Sequence, residues 1–489
     1  MKTIVIVGGG AGGLLTAAMM QDFWKDRVSI TLIYDPNDKV MGVGEGTTPT
    51  FVDILRDNLN KDILESIKDL GATIKLGVLF KNWIPDKEYF HGFTEIVNNE
   101  DWADDNYSAI HSLLNDSYDG GTNHSNISGS IPVDLEDHHT ALHILTDKLI
   151  DFLLDYLKDK ITIVHDKISR VTSDGENIQS VTGKNTGNYH ANLFVDASGF
   201  KSILLNELNP EWVDLSQHLP IDRAIPQKVD NNTNTIPTYT LAEATKDGWI
   251  WQIPTQTQFG TGYLYSSKFT TDDEARANYN DWLLNNHGVE LDTNRVIKWN
   301  TGYYKQAWIG NCFAVGISAG FFEPLEALTY QYLFNMIETF LSMNSTLKML
   351  EYNRDVVNDN HNKFFTQTCD FLNLHYCTNR TDSPFWQHIT ANKTKWVKNI
   401  EDKCKEEFID VFRVDGSLDH WNHDSMIQIM NGLNMFNKDG IIDYVNSRSD
   451  SKSLYKNAKK HHETITSMKN SIDTINHKQF IDSLNLPYI

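Results

Sequence analysis

The feature that most constrains the fold is a strand, turn, helix and strand unit within residues 3–35. In order, the unit consists of the apolar run Thr3–Val7, the glycine-rich turn Gly8–Gly13, a helical pattern over Leu14–Lys25 and a second apolar run over Val28–Tyr34. In such a unit Gly8 and Gly10 permit a tight turn and the close approach of a diphosphate, and Gly13 lets helix and strand pack closely. The helix N-terminus adds unpaired N–H groups. The pattern predicts a dinucleotide site in an α/β fold; an ordinary glycine turn is the alternative.

Two later stretches repeat the change from apolar strand to glycine turn. One runs through Leu193–Val195 into Asp196 and Gly199, and the other runs through Phe313–Val315 into Gly316. Three such turns converging on one extended ligand favour FAD over NAD, because FAD lies across its fold and reaches a second domain. Taken singly, each later turn is equally compatible with a tight turn at a sheet edge. Asp35, which follows the second strand of the first unit, is the predicted ribose ligand.

A third feature is the segment Gly248–Pro254, which places Trp249 and Trp251 one residue apart ahead of a proline. Two indoles so close together form a bulky, inflexible surface that either fills a core or lines a pocket. Pro254 is expected to end the strand, because proline cannot donate to a sheet.

Composition narrows the class of protein. A chain of 489 residues is too long for one ordinary core. Its formal net charge of -22 argues against partners such as nucleic acid or an anionic membrane. No apolar run approaches membrane-spanning length. The four cysteines follow no metal-ligand spacing, so we expect reduced thiols, no metal and a cytoplasmic location.

The remaining pattern predicts an α/β fold class with a Rossmann-type, FAD-binding core of the aromatic-hydroxylase kind, a β-sheet substrate region and a helical C-terminal region. Its expected parts are a strand at 72–83, a polar loop at 97–130, a helix at 142–158, short strands at 161–195, longer strands at 237–270 and mostly helices from Pro324 onward. We predict two domains: residues 1–345 as the FAD-binding module with the inserted β-sheet substrate region, and residues 346–489 as a mainly helical region covering the substrate.

Five motifs together resemble the flavin-dependent tryptophan halogenases, and they occur in the order expected of that family. They are Gly8–Gly13, Gly42-Val43-Gly44-Glu45, Trp249-x-Trp251-x-Ile253-Pro254, Glu323-Pro324-Leu325-Glu326 and Arg380–Trp386. The resemblance implies that FADH2 and O2 oxidise a bound halide to a hypohalous species, which halogenates an electron-rich aromatic small molecule. It places Gly44 and Glu45 at the cofactor. A separate flavin reductase must supply FADH2, because the chain has only one dinucleotide fingerprint.

The resemblance also assigns roles at the reaction site. Trp249, Trp251 and Pro254 form the barrier between flavin and substrate, and Lys75 holds and polarises the oxidised halide. Alternation along residues 72–83 gives Lys75 the face that it shares with the small Gly77. A strand lysine extending to solvent is the alternative, and Lys81 is the competing lysine.

Glu326 matches the family's active-site glutamate, which stabilises the cationic arene or takes its proton. With Pro324 at the first helical position, Glu326 is expected in the first helical turn, where the dipole favours a carboxylate. Alternatively, Glu323 is the carboxylate that interacts with the N-terminus of the helix. His91 and Phe93 match a His-x-Phe pair in the family's substrate pocket.

Departures from the family pattern affect halide and substrate. Where relatives carry Ser-Thr-Gly after the glutamate, this chain has Ala327-Leu328-Thr329, so the halide is expected to meet the backbone amides of Leu328 and Thr329. The helical third lacks a counterpart of the family's aromatic lid, so we expect a substrate other than free tryptophan.

Several wider hypotheses remain from the sequence. A flavin-dependent aromatic monooxygenase and a catalytically silent FAD-binding protein are the alternative functions. We expect a homo-oligomer. The Asn- and Lys-rich composition favours a divergent viral member of the family, with a cyanophage as the hypothesised source.

Overall fold

The computed structural model describes residues 1–38, 42–93, 129–132, 135, 140–231, 233–406, 418, 420–421, 423–471 and 473–485. Contacts divide the chain into a first unit of residues 1–72, 144–216 and 298–366 and a second unit of residues 73–143, 217–297 and 367–489. The predicted boundary at residue 345 separates two functional regions, and it stays a prediction. The polar loop predicted at 97–130 lies, except for its last two residues, outside the described residues.

A six-stranded sheet forms the centre of the first unit. Its strand order is Trp308–Ile309, Cys312–Ala314, Leu193–Asp196, Lys2–Val7, Val28–Tyr34, Thr162–His165. Neighbouring strands are parallel, except for the hairpin that adds Trp308–Ile309. The central strands are continuous apolar runs and are buried, as expected of a parallel sheet covered on both faces. The predicted α/β class is confirmed.

The first unit also contains two three-stranded sheets. Their strands, in spatial order, are Ile168–Ser173, Ile178–Gly183 and Gly187–Tyr189, and then Trp212–Asp214, Gly302–Tyr304 and Gly320–Phe321. A two-residue strand lies at Glu45–Gly46. The α-helices are Ala11–Trp24, Pro49–Leu59, Ile63–Asp69, Thr146–Leu157, Leu328–Met343 and the first part of Glu351–His375.

A large mixed sheet forms the centre of the second unit. Its strand order is Ile297–Lys298, Arg223–Asp230, Gln258–Tyr265, Gly248–Pro254, Tyr239–Ala244, Gly77–Lys81, Glu88–Gly92. The strand Gly248–Pro254, called the tryptophan strand below, therefore lies in the interior of the sheet. Ile250 joins a core cluster with Tyr279 and Leu283 of the helix Asp272–His287. Because strand side chains alternate, Trp249 and Trp251 point to the opposite face.

Where it is described, the remainder of the second unit is mainly helical, which confirms the predicted helical C-terminal region. Its helices are the end of Glu351–His375, then Pro384–Ala391, Lys395–Glu406, His423–Gly432, Lys438–Ser447, Ser451–Ser471 and His477–Asn485. A short strand at Thr474–Asn476 pairs antiparallel with Ser130–Pro132.

The prediction of one helix over 142–158 is wrong at its start. Residues Ala141–Ile144 form a fully buried strand that pairs antiparallel with Thr73–Lys75, and the helix begins at Thr146. A short apolar run suits a strand buried on both faces as well as it suits a helix, and the partner strand decides between them.

Candidate functional site

Three glycine turns lie side by side at one edge of the parallel sheet in the first unit. Val7 pairs with Asp196, and Asp196 pairs with Ala314, so the strands that precede the turns end in register. The backbone joins them further, because Ala197 N–H donates to Val7 O over 2.9 Å and Val315 N–H donates to Asp196 O over 2.9 Å. The structure thus brings together the glycines of these three turns, which are predicted to bind FAD. Ligands of open α/β sheets bind at this carboxyl edge.

Two of the glycines are required by close backbone packing. Gly8 has φ +124°, and a Cβ there would lie 2.1 Å from Ala197 O. A Cβ at Gly13 would lie 2.1 Å from Gly8 O, so the helix Ala11–Trp24 approaches the first strand only because Gly13 has no side chain. Gly10 precedes that helix with φ -75°, a conformation open to any residue, and no acidic residue lies in the first turn. The helix N-terminus is therefore suited to a diphosphate.

Asp196 holds the second turn together through hydrogen bonds of its carboxylate. Oδ1 accepts from Ser198 N and Oγ at 3.0 and 2.6 Å, and Oδ2 accepts from Leu204 N and Leu205 N at 2.7 and 2.9 Å. Because its carboxylate accepts from these four donors, Asp196 shapes the turn.

The second and third turns are also joined directly. Gly199 N–H donates to Ser318 Oγ over 2.8 Å, and Ser202 Oγ donates to Ser318 O over 2.9 Å. Gly199 and Gly316 both have positive φ, at +68° and +56°. Ser318, which sequence reasoning did not single out, therefore fixes the spacing of these two glycines.

Asp35 lies directly after the strand Val28–Tyr34, beside the first glycine turn. Its Oδ1 accepts from Asn37 N over 2.9 Å, which forms a local turn. The ring of Tyr34 lies against Gly9, where a Cβ would be 2.4 Å from Tyr34 Cγ. The predicted ribose ligand is thus at the expected strand end.

Gly44 and Glu45 lie in the first unit together with Thr146 and Tyr330. Gly44 has φ +88°, and Thr146 Oγ1 donates to Glu45 Oε1 over 2.7 Å. Burial and the Glu45 carboxylate hold the pKa of Tyr330 well above its ordinary value. Because Tyr330 belongs to the helix Leu328–Met343, the loop containing Gly44 and Glu45 lies at the N-terminal end of that helix.

The expected position of Glu326 in the first turn of an α-helix is wrong. Residues Leu325–Ala327 form a 3-10 turn in which Glu326 has φ 66° and Ala327 has φ 59°, and the α-helix begins at Leu328. Two adjacent left-handed residues with side chains interrupt the helical hydrogen bonding, and each costs on the order of 1–3 kcal/mol. Glu326 is buried at 5% exposure. A strained conformation at a buried carboxylate is typical of a functional site.

Leu328 and Thr329 occupy the first turn of the helix Leu328–Met343. Leu328 is buried, Thr329 is half-buried, and no acidic residue lies in that turn. The N–H groups of a first helical turn have no partner within the helix. They are therefore able to bind an anion, as predicted for the halide.

Lys75 is fully buried in the second unit. Its exposure is 0%, which excludes the alternative of a strand lysine extending to solvent. Its Nζ lies 4.9 Å from the ring centroid of Phe93, within cation–π range. The competing Lys81 is partly exposed and pairs with Glu243 over 3.1 Å. The space beside Gly77 is occupied by the neighbouring strand, because a Cβ there would lie 2.3 Å from His91 O.

A polar network that sequence reasoning missed surrounds the strand of Lys75. Thr73 Oγ1 donates to Pro254 O over 2.6 Å, which ties this strand to the end of the tryptophan strand. His143 lies beside it, with Nδ1 at 3.4 Å from Thr73 Oγ1 and Nε2 at 2.9 Å from Thr240 Oγ1. No local motif marks these residues, because the contacts join positions 70 to 181 residues apart.

The protonation of His143 follows from these contacts. The Thr73 hydroxyl donates its only proton to Pro254 O, so it can act only as an acceptor towards His143. The proton in that second hydrogen bond is therefore carried by His143 Nδ1. His143 Nε2 then accepts from Thr240. Burial, followed by the charge of Lys75 and by His477, holds the pKa of His143 well below its ordinary value. The imidazole is therefore neutral and does not itself add a second positive charge beside Lys75.

Both indoles of the tryptophan strand are buried. Trp249 is 2% exposed, and among the described residues its Nε1 meets no hydrogen-bond acceptor. The Trp251 ring lies across the neighbouring strand at Gly262, where a Cβ would be 2.0 Å away. Pro254 is the last residue of the strand, as predicted.

His91 and Phe93 lie at the end of the strand next to Gly77–Lys81. His91 pairs with Val78 and is buried, and its ring centroid is 6.5 Å from that of Phe371. Phe93 N–H donates to Leu76 O over 3.1 Å, which places its ring beside Lys75. The structure thus brings Phe93 and Lys75 together.

Two further observations concern the described part of the chain. No group of three or more His, Cys, Asp or Glu side chains within it is arranged to hold a metal ion. None of its helices combines the length and the apolar character needed to cross a bilayer.

Comparisons with known proteins agree with this geometry. The family model described as Tryptophan halogenase matches residues 3–441. Tryptophan 7-halogenase RebH of Lentzea aerocolonigenes is 31% identical over 452 residues, covering 84% of this chain and 81% of its own. The crystal structure of tryptophan 6-halogenase SttH of Streptomyces toxytricini has a TM-score of 0.86 and 25% identity, covering 99% of this chain and 100% of its own. A tryptophan halogenase structure from Shewanella frigidimarina shares the fold, with a TM-score of 0.86 and 23% identity.

Proposed function

The chain belongs to the tryptophan halogenase family, and from this premise we propose that it halogenates an electron-rich aromatic small molecule other than free tryptophan. Enzymes of this family are flavin-dependent, and they need halide, O2 and a separate flavin reductase. The observation that carries the proposal is the burial of Lys75 beside Phe93, because the sequence resemblance gives Lys75 the place of the family's halide-binding lysine.

The residues at the sheet edge fit FAD. Gly8 and Gly13 allow the tight turn by packing closely against backbone, and the helix N-terminus that follows has no acidic residue in its first turn, so it suits the diphosphate. We propose that Gly10, Gly199 and Gly316 complete the contact with the cofactor, that Asp35 binds the ribose, and that Asp196 shapes the turn. Gly44 and Glu45 are proposed to border the flavin. Reduced flavin bound there would activate O2, which is the oxidant for halide.

We propose that Lys75 holds the oxidised halide beside the arene. A buried ammonium group is a strong hydrogen-bond donor in surroundings of low dielectric constant, where its field polarises a bound halogen species more than it would in water. Phe93 and His91 are proposed to line the substrate pocket, with Phe93 stacking on the arene.

Glu326 is proposed to stabilise the cationic arene or to take its proton. The two left-handed residues of the turn, Glu326 and Ala327, set the direction in which the Glu326 side chain leaves the backbone. A fixed negative charge lowers the energy of a cation that forms beside it without reorganisation during the reaction.

The tryptophan strand is proposed as the barrier that keeps organic molecules from the flavin. Trp249 and Trp251 are inflexible, and the bond from Thr73 to Pro254 fixes the end of their strand. Leu328 and Thr329 are proposed to contact halide through backbone N–H groups. Because heavier halides are easier to oxidise, we expect bromide or iodide to be used at least as readily as chloride.

Incubation with a flavin reductase, NADH, FAD and a panel of arenes tests the proposal. Free tryptophan belongs in the panel, and chloride, bromide and iodide are supplied separately. Mass spectrometry should detect a halide-dependent mass gain on an arene. NADH without the reductase should leave the bound flavin oxidised.

Each other outcome identifies a different function. Hydroxylated product without halide dependence would identify an aromatic monooxygenase, and flavin binding without any turnover would identify a silent FAD-binding protein. Efficient halogenation of free tryptophan would overturn the substrate proposal alone, and a strict chloride preference would overturn the halide expectation.

A further inference from the structure

A histidine from the C-terminal helix contacts the strand of Lys75. His477 is fully buried, and its Nε2 accepts a hydrogen bond from Ile74 N–H over 3.0 Å. The two residues are 403 positions apart. Ile74 is the immediate neighbour of Lys75, so the imidazole is bonded to the backbone from which the lysine side chain extends.

This contact replaces a missing strand neighbour. Thr73–Lys75 pairs with Ala141–Ile144 on one edge. Beyond the strand, Leu76 N–H donates to Thr238 O over 2.6 Å. The histidine nitrogen supplies the acceptor that Ile74 N–H needs, and a buried N–H left without one costs roughly 1–3 kcal/mol.

His477 is itself firmly held by the second unit. Its Nδ1–H donates to Ile236 O over 3.1 Å, and its own N–H donates to Gly129 O over 2.8 Å. The preceding strand Thr474–Asn476 pairs with Ser130–Pro132. Two backbone segments, residues 129–132 and the segment that contains Ile236, therefore fix the imidazole that contacts Ile74.

The bond requires a neutral imidazole, since Nε2 must accept. Burial lowers the pKa of His477 to about 4, against the smaller raising effect of its bond to Ile236. Within the described residues, the titratable groups that act on this region include Lys75, a cation, and His143, which is neutral. His477 thus accepts throughout the neutral pH range.

We propose that His477 is a positioning residue for Lys75, which holds the lysine strand through Ile74 N–H so that the ammonium group meets the oxidised halide in one place. The proposal rests on the role proposed above for Lys75. It makes the last part of the chain, from Thr474 onward, necessary for halogen transfer.

Two substitutions at His477 distinguish loss of the hydrogen bond to Ile74 N–H from a general change in the buried side chain. In His477→Gln, the amide oxygen reaches the position of Nε2 and accepts from Ile74 N–H. In His477→Asn, the shorter side chain keeps its bond to Ile236 O but does not reach Ile74. Lys75→Ala serves as the reference for complete loss of the lysine.

The first measurement needs no turnover. Hydrogen–deuterium exchange followed by mass spectrometry on a peptide spanning residues 72–76 should give wild-type protection in His477→Gln and about tenfold faster exchange in His477→Asn, the factor that corresponds to about 1.4 kcal/mol. Equal protection in wild type and His477→Asn would overturn the inference.

The second measurement is the ratio of halogenated arene to oxygen consumed. We expect His477→Asn to lower this ratio towards that of Lys75→Ala, with flavin affinity and oxygen consumption unchanged, and His477→Gln to restore it. Faster exchange with a wild-type ratio would make His477 merely structural and overturn the inference. If His477→Asn does not fold, the test rests on His477→Gln. In that variant, faster exchange in residues 72–76 or a lower ratio of halogenated arene to oxygen consumed would contradict the acceptor role. A wild-type protein that halogenates nothing would instead refute the proposed function itself, and this inference with it.

Discussion

The glycine turns of the first unit and the surroundings of Lys75 in the second are built in opposite ways. The first glycine turn depends on close backbone packing, and Gly8 and Gly13 matter there because they lack side chains. The surroundings of Lys75 are made of side chains, and Thr73, His143 and His477 meet there from distant parts of the chain. A local motif is therefore sufficient for the first region and insufficient for the second.

The difference has a consequence for function. Backbone N–H groups bind a cofactor whatever the surrounding side chains are, so one glycine motif serves many enzymes. The reactivity of a buried lysine depends on each group around it, since each one shifts its position or its field. We therefore expect substitutions in the first region to abolish flavin binding, and substitutions in the second to leave flavin bound and halogen transfer impaired.

The largest expected effect is in the glycine turn. Gly10→Val should abolish flavin binding, because its backbone conformation tolerates a side chain but the approaching diphosphate does not. Absorbance of the purified protein and titration with FAD measure this. Gly12→Ala is the matched control, since a Cβ there meets nothing within 4 Å. Stoichiometric flavin in Gly10→Val would contradict the assignment.

The second prediction concerns coupling between oxygen use and product. Lys75→Ala and Glu326→Gln should each lower arene halogenation by roughly a hundredfold or more, the scale of removing one preorganised electrostatic group, while flavin binding and oxygen consumption persist. Product and oxygen are measured under the same reductase supply. Lys81→Ala, which removes only a partly exposed ion pair, is the control. A wild-type ratio in either variant, or loss of flavin, would show its assigned role to be wrong.

The third prediction is that acid lowers the free energy of unfolding through one buried histidine in each unit. Burial lowers the pKa of His477 and of His361 to about 4, so both stay neutral in the folded protein while the unfolded chain takes up protons below about pH 6.5. The unfolded state then binds more protons, and the free energy of unfolding falls as pH decreases from 6.5 towards 4.

Urea unfolding at pH 7.5, 6.5 and 5 measures this loss. His477→Gln should reduce the loss between pH 6.5 and 5 by up to about 2 kcal/mol, at about 1.4 kcal/mol per pH unit for one proton. His190→Gln, at an exposed histidine, is the control. Equal losses in wild type and His477→Gln would mean that His477 is protonated in the folded protein.

The smallest expected effect is at the strained turn of the first unit. Ala327→Gly should raise the free energy of unfolding by about 0.5–1 kcal/mol, because glycine adopts a left-handed conformation without the steric cost of Cβ, although it gains more entropy on unfolding. Urea denaturation measures the change. A decrease of similar size would show that the conformation of Ala327 is not strained.

The sequence by itself determined the parts of this protein that depend on neighbouring residues. The glycine turn, the helix after it and the strand Val28–Tyr34 follow from local sterics and from apolar runs of fixed period, and all lie where predicted. The tryptophan strand ended at Pro254 for the same reason. Family membership followed from the order of five such local motifs.

Only the tertiary structure decided what depends on distant partners. Pairing with Thr73–Lys75 made Ala141–Ile144 a strand, and the surrounding fold holds Glu326 and Ala327 in left-handed conformations that their own preferences oppose. Burial of Lys75 and the contact of His477 with Ile74 are likewise invisible along the chain. Their physical reason is that the energy of a buried charge or N–H depends on which groups arrive beside it, and those groups come from anywhere in the sequence.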